Sequence, residues 1–110
     1  MSRQLILDPD AERDLTDLFD YLAARNPTAA ARYIRALRER CAFYAESPFL
    51  LGQEEPEVAQ RLGLSRERVR SFLYRNHRCF FVVTDEEIRV LGFIDMRQDV
   101  DTILEERFPS

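Results

Sequence analysis

The sequence predicts one two-layer α+β domain of order β-α-α-β-β-β, with a helical hairpin packed on an antiparallel sheet. Three observations carry that prediction. Two successive stretches in the first half repeat apolar residues at helical spacing, each behind a cap-plus-proline signal. The run from Arg78 to Val83 is continuously apolar after its arginine and has the length of a strand covered on both faces. The chain has 110 residues, 45% hydrophobic and 33% charged, enough for one core over residues 1–110 and too short for a second.

The elements follow in order. Arg3-Gln4-Leu5-Ile6-Leu7 is a short strand candidate that stops at Asp8-Pro9-Asp10. There Asp8 can cap a helix and Pro9 suits its first position. Asp10, Glu12 and Asp14 place negative charge at the positive end of the helix dipole, and Ala11, Leu15, Leu18 and Leu22 form one stripe. Asn26-Pro27 repeats the start signal for a second helix with the stripe Ala30, Tyr33, Ile34, Leu37, Cys41 and Tyr44. So short a connection makes the two helices an antiparallel hairpin.

Ser47-Pro48 ends that helix, and residues 49 to 66 read as irregular chain with one helical turn around Glu57–Leu62. The period then changes. Val69 to Leu73 reads as a strand, Arg78 to Val83 as the central one, and Thr84-Asp85-Glu86-Glu87 as the turn into a partner strand, Ile88 to Asp95. The tail after Met96 is polar apart from Val100, Ile103, Leu104 and Phe108, and has room for a short helix.

The segment Pro56 to Phe72 also fits a helix-turn-helix, with Val58-Ala59, Leu62-Gly63-Leu64, a serine cap at Ser65 and arginines on the second helix. Against that stands the strand pattern that begins at once after it. Both alternatives remain open at this stage.

The formal charge of −4 argues against indiscriminate nucleic-acid binding. Residues 61 to 78, however, hold six arginines and one acid, Glu67, a local +5 that leaves −9 on the rest. All sixteen basic residues are arginine. Arginine is permanently protonated and suits bidentate recognition of carboxylate or phosphate.

No apolar run approaches the ~20 residues that span a bilayer, and the N-terminus lacks a signal-peptide pattern. The expected location is the cytoplasm. Cys41 and Cys79 lie in different elements and read as small buried apolar residues, not as a disulfide. The one histidine, His77, offers no metal set with them, so neither metal nor cofactor is expected. His77 is either a general base or a structural residue of the turn before the apolar run.

Four stretches resemble the RelE/ParE toxin superfamily, more closely its ParE branch. They are the acidic helix DPDAERDLTDLFDYLAARNP, the second helix TAAARYIRALRERCAFYAESPFLLG, the paired strands VRSFLYRNHRCFFVV, and the last strand with its trailing Arg-x-Asp, IRVLGFIDMRQDVDTIL. The resemblance implies the fold derived above as a single toxin domain. It also implies a role in a type II toxin–antitoxin pair, including plasmid stabilisation, and a cognate antitoxin partner. RelE-type members cleave mRNA on the ribosome, using lysines, arginines and a tyrosine near the C-terminus. Here lysine is absent and no tyrosine follows Arg97; Ile103 lies near its place. Arginine is a poor general base. The resemblance therefore favours the ParE branch, whose members inhibit DNA gyrase by binding, with the mRNA endoribonuclease and the helix-turn-helix regulator (residues 56–72) as alternatives.

By that resemblance Arg70, Arg78 and Arg97 fall at family arginines and form the expected toxin surface, with no catalytic residue and no DNA binding by the toxin alone. Arg70 and Arg97 could equally pair with carboxylates such as Asp95 or Asp99. An acidic and apolar antitoxin tail is expected to dock on Arg66, Arg68, Phe72, Leu37 and Tyr33. Tyr33 and Tyr44 also read as core or core-rim residues of the second helix.

Overall fold

The computed structural model describes residues 2–109. The strands are β1 (Gln4–Leu7), β2 (Gln53–Glu54), β3 (Val69–Tyr74), β4 (His77–Val83) and β5 (Glu87–Asp95). The helices are α1 (Pro9–Ala23), α2 (Pro27–Glu46), α3 (Pro56–Leu62) and α4 (Val100–Arg107). The five strands form one sheet in the order β1-β5-β4-β3-β2. Strands β2 to β5 pair antiparallel, but β1 runs parallel to β5, Gln4 opposite Glu87 and Leu7 opposite Val90. The sheet is thus mixed, which departs from the antiparallel expectation. Because α1 and α2 pass over one face and return, β1 is not joined to β5 by a hairpin, so nothing forces antiparallel pairing.

Asn26 caps α2 as its sequence signal predicts, accepting the Ala29 N–H at 3.0 Å. Asp8 precedes α1 but makes no side-chain cap. Its carboxylate instead takes a hydrogen bond from Arg89 Nη1 at 2.8 Å, a charge-assisted partner stronger than a backbone amide. Gly63 ends α3 in the left-handed conformation at φ 71°, open to solvent around its Cα.

Both faces of the sheet are covered, so the two-layer expectation extends to three layers. The hairpin packs Ala11, Leu15, Leu37 and Cys41 onto Phe72, Cys79, Phe81, Val90 and Phe93. On the opposite face α3 and α4 place Val58, Ala59 and Phe108 against Val69, Phe80 and Ile94. Successive side chains of β4 therefore feed two cores, Phe80 one and Phe81 the other, each 1% exposed. Burying each ring contributes about 1.5–3 kcal/mol. Cys41 and Cys79, distant in sequence, meet in the hairpin core with their sulfurs 3.9 Å apart. Burial and the neighbouring Cys41 hold the Cys79 thiol well above its usual range.

A bulge lies between Phe80/Phe81 and β5: Phe80 faces Gly92 while Phe81 faces Val90, leaving Leu91 as the extra residue. It resets the alternation, so Ile88 and Val90 before it and Phe93 after it all enter the hairpin core. Beyond Leu7, β5 has no partner from β1. Asp14 takes up that edge, its Oδ2 accepting the Phe93 N–H at 2.9 Å and its Oδ1 pairing with Arg107 of α4.

The helix-turn-helix alternative is corrected here. Residues 66–68 form a single 3-10 turn, and Val69–Tyr74 is a strand, so α3 has no recognition helix after it. Among the described residues, no helix is long and apolar enough to cross a membrane.

Candidate functional site

At one end of the molecule the corner between α1 and α2 meets the β3–β4 turn. The Asn26 cap and Pro27 start α2 directly after α1, which leaves Arg25 on the connection and Arg32 on the following turns. Opposite them, Tyr74 and His77 face each other across the register, with Arg75 and Asn76 as a two-residue loop. Arg75 takes a φ of 53°, a left-handed conformation that costs a residue with a Cβ about 1 kcal/mol. The Met96 N–H donates to Asn76 O at 2.8 Å, tying this loop to the end of β5 and setting Arg97 beside it.

The two corners enclose a concavity of about 500 Å³. Leu22, Ala29, Ala30, Tyr33 and Tyr74 give it an apolar floor; Arg25, Arg32, Arg75 and Arg97 stand around it, and among the described residues no carboxylate lines it. Arg25, Arg32 and Arg75 form no ion pair among the described residues. Arg40 and Arg75 lie 5.6 and 5.8 Å from the Tyr74 ring centroid, within cation–π range.

Beneath the rim, Tyr33 Oη is 2.7 Å from His77 Nδ1. Burial pushes the His77 pKa down, with Arg97 acting in the same sense and Asp95 against it. Burial lifts that of Tyr33. Both shifts favour the same proton arrangement, a phenol donating to a neutral imidazole. Arg97 is fixed by Asp95, which accepts from its Nε at 3.0 Å and Nη2 at 2.8 Å. That hydrogen bonding draws the Asp95 carboxyl down to about 2. The Arg97–Asp95 pairing is the carboxylate alternative weighed from the sequence.

The three arginines of the expected toxin surface do not meet. Arg70 donates from Nε to Leu51 O at 3.1 Å and from Nη1 to Glu67 O at 2.9 Å, anchoring the loops before and after α3. Arg78 donates to Ser71 Oγ at 2.9 Å, and Ser71 in turn donates to Glu55 at 2.6 Å. By strand alternation Arg70 faces the hairpin side of the sheet and Arg78 the α3–α4 side. Arg70 sits opposite Phe81 and Arg97 lies just past the His77–Asp95 pair. Those levels of β4 are about 13 Å apart at the rise of a strand.

Of the residues expected to receive an antitoxin, Leu37 (0% exposed) and Phe72 (5%) lie in the chain's own core, Phe72 stacked on Tyr44 at 4.7 Å. They support the surface from beneath. Arg66 is exposed beside Glu54, and Arg68 reaches Val83 O at 3.4 Å. Tyr33 lies in the concavity. The arginine-rich segment 61–78 is dispersed: Arg61 bonds Phe108 O, whereas Arg75 is at the far turn. Sequence reasoning missed Arg25, Arg32, Arg75 and Tyr74. The four residues left between the two expected strands, Tyr74 to His77, were the available signal for a tight turn there.

The family model described as ParE toxin of type II toxin–antitoxin system, parDE, matches residues 5–100. No curated protein matches the sequence. Among solved structures, a chain of the chromosomal ParDE TA system from P. aeruginosa has the same fold. It superposes at a TM-score of 0.65 with 20% identity, covering 86% of this chain and 96% of that one.

Proposed function

This chain belongs to the ParE toxin family of type II toxin–antitoxin systems, and on that premise we propose that it inhibits DNA gyrase by binding it and is neutralised by a cognate antitoxin. The observation that carries the binding reading is the dispersal of Arg70, Arg78 and Arg97. Cleavage of a phosphodiester needs cations, a base and an acid converging on one phosphate. Here each arginine is engaged by its own neighbours, and Arg78 faces away from the other two. A binding toxin needs only a complementary surface.

The test is expression without antitoxin, followed by a supercoiling assay with purified gyrase and mapping of transcript ends. Growth arrest, failed supercoiling and intact transcripts are expected. Normal supercoiling with codon-positioned transcript cuts would overturn the reading in favour of an endoribonuclease.

A further inference from the structure

The structure assigns Cys41 and Cys79 a second state, a disulfide that clamps α2 to the central strand β4. Glutathione disulfide, or another low-molecular-weight disulfide, closes it, and only while the helical hairpin is lifted from the sheet. The assignment goes beyond the toxin reading and does not depend on the target.

Position argues first. The two sulfurs, 38 residues apart in the chain, are in contact at 3.9 Å. Both thiols are free, and the chain has no third cysteine to compete for either. A disulfide bond is about 2.0 Å long, so closure takes an approach of about 2 Å, on the scale of a side-chain rotation. The contact also joins elements that are otherwise thinly tied. Among the described residues, the other side-chain hydrogen bond from α2 to β4 is Tyr33–His77. Cys41 lies two helical turns beyond Tyr33, about 12 Å along α2, so a bond there pins the helix at a second level.

Burial argues second. Cys41 is 1% exposed and Cys79 0%, packed in the hairpin core with Leu37, Ala45, Phe72 and Phe81. A tripeptide oxidant has no path to them while that core is closed. The attacking species is the thiolate, and burial beside Cys41 holds the Cys79 thiol up and protonated. Opening removes both barriers. One cysteine thiolate then attacks the oxidant, forming a mixed disulfide and expelling one glutathione thiolate. The second attacks the protein sulfur of that mixed disulfide and expels the other. Two protein thiols are oxidised, and one glutathione disulfide is reduced to two glutathiones, which take up the two protons. Closure of the core then shelters the new bond from reductants.

The test treats the full chain with glutathione disulfide, in buffer and in urea near the unfolding midpoint. Free thiols are then capped and the intact mass is read without reductant. Near the midpoint both thiols should disappear, with a mass lower by two hydrogens, at about tenfold or more the rate in buffer. After urea and oxidant are removed, the thermal midpoint should stand roughly 10 °C above that of the reduced chain, because the bond closes a long loop in the unfolded state. Dithiothreitol in urea should reverse the gain. Cys41→Ala and Cys79→Ala should each stop at one bound glutathione, with no gain. A wild-type chain that keeps its free thiols in urea, carries two glutathiones or forms a linked dimer would overturn the assignment. So would a disulfide that lowers the midpoint or leaves it unmoved, or equal rates with and without urea. None of these outcomes touches the toxin reading, which fails instead on normal supercoiling.

Discussion

Tyr33 Oη and His77 Nδ1 lie 2.7 Å apart, and their hydrogen bond joins α2 to the first residue of β4. The proton on that bond belongs to the phenol only while the imidazole is neutral.

Stability should therefore fall with acid in a defined window. Burial places the folded His77 pKa below its ordinary value of 6.5, so the unfolded chain takes up a proton first. The contribution is complete above pH 6.5 and is lost as pH falls from there through the folded value. His77 is the chain's one histidine, so a single imidazole signal reports it in an NMR titration. An apparent pKa above 6.5 would contradict the expected direction.

Arg107→Ala should destabilise the fold by about 1–3 kcal/mol, measured by urea unfolding. It strips the cation from Asp14, whose carboxyl is pushed up by burial and held down by the Phe93 N–H and Arg107. Since the net folded pKa is raised, ionising Asp14 is a cost that grows as pH rises through that value. The loss in the variant should accordingly be smaller at pH values where Asp14 is protonated. An unchanged midpoint at neutral pH would show that α4 is not held through this pair.

Leu37→Ala should cost about 2–5 kcal/mol, because the side chain is wholly enclosed and leaves a cavity between α2 and the sheet. Any loss of antitoxin binding should then track the unfolded fraction and recover when the assay is cooled or stabilised. A folded Leu37→Ala protein with a normal midpoint and weakened binding would return this residue to the interface.

Arg75→Gly should raise stability by up to about 1 kcal/mol, since glycine adopts φ 53° without a Cβ clash. The same change removes one arginine from the rim of the concavity. A gain in thermal midpoint, read by calorimetry, is the expected outcome. A lowered midpoint would mean that the arginine contacts outweigh the backbone strain.

The elements most legible in the sequence were those whose signals are local. Asn26-Pro27 sets the start of α2, and the apolar run after Arg78 identifies a doubly covered strand, because capping and periodicity act within a few residues. What stayed hidden depends on distant partners. The two residues of β2 are a strand only because Arg70 and Ser71 lie opposite them. The parallel direction of β1 is set by Glu87–Val90, and the second core exists because α3 and α4 return to the sheet. The candidate site was least legible of all. Its arginines come from a helix corner, a helix, a strand turn and a strand end, and charge counting along residues 61–78 grouped neighbours in sequence that the fold separates.

Parallel pairing of β1 with β5 has a consequence for how this protein is made. Gln4 is synthesised well before its partner Glu87, with the whole helical hairpin and the strands β2, β3 and β4 between them. Until then the helical hairpin can form from local contacts with its apolar stripe uncovered, while the sheet beneath it lacks both its central strand and its parallel edge. A nascent or truncated chain therefore has no finished surface to offer a target. Such fragments should be open to proteases until β4 and β5 close the sheet beneath the hairpin.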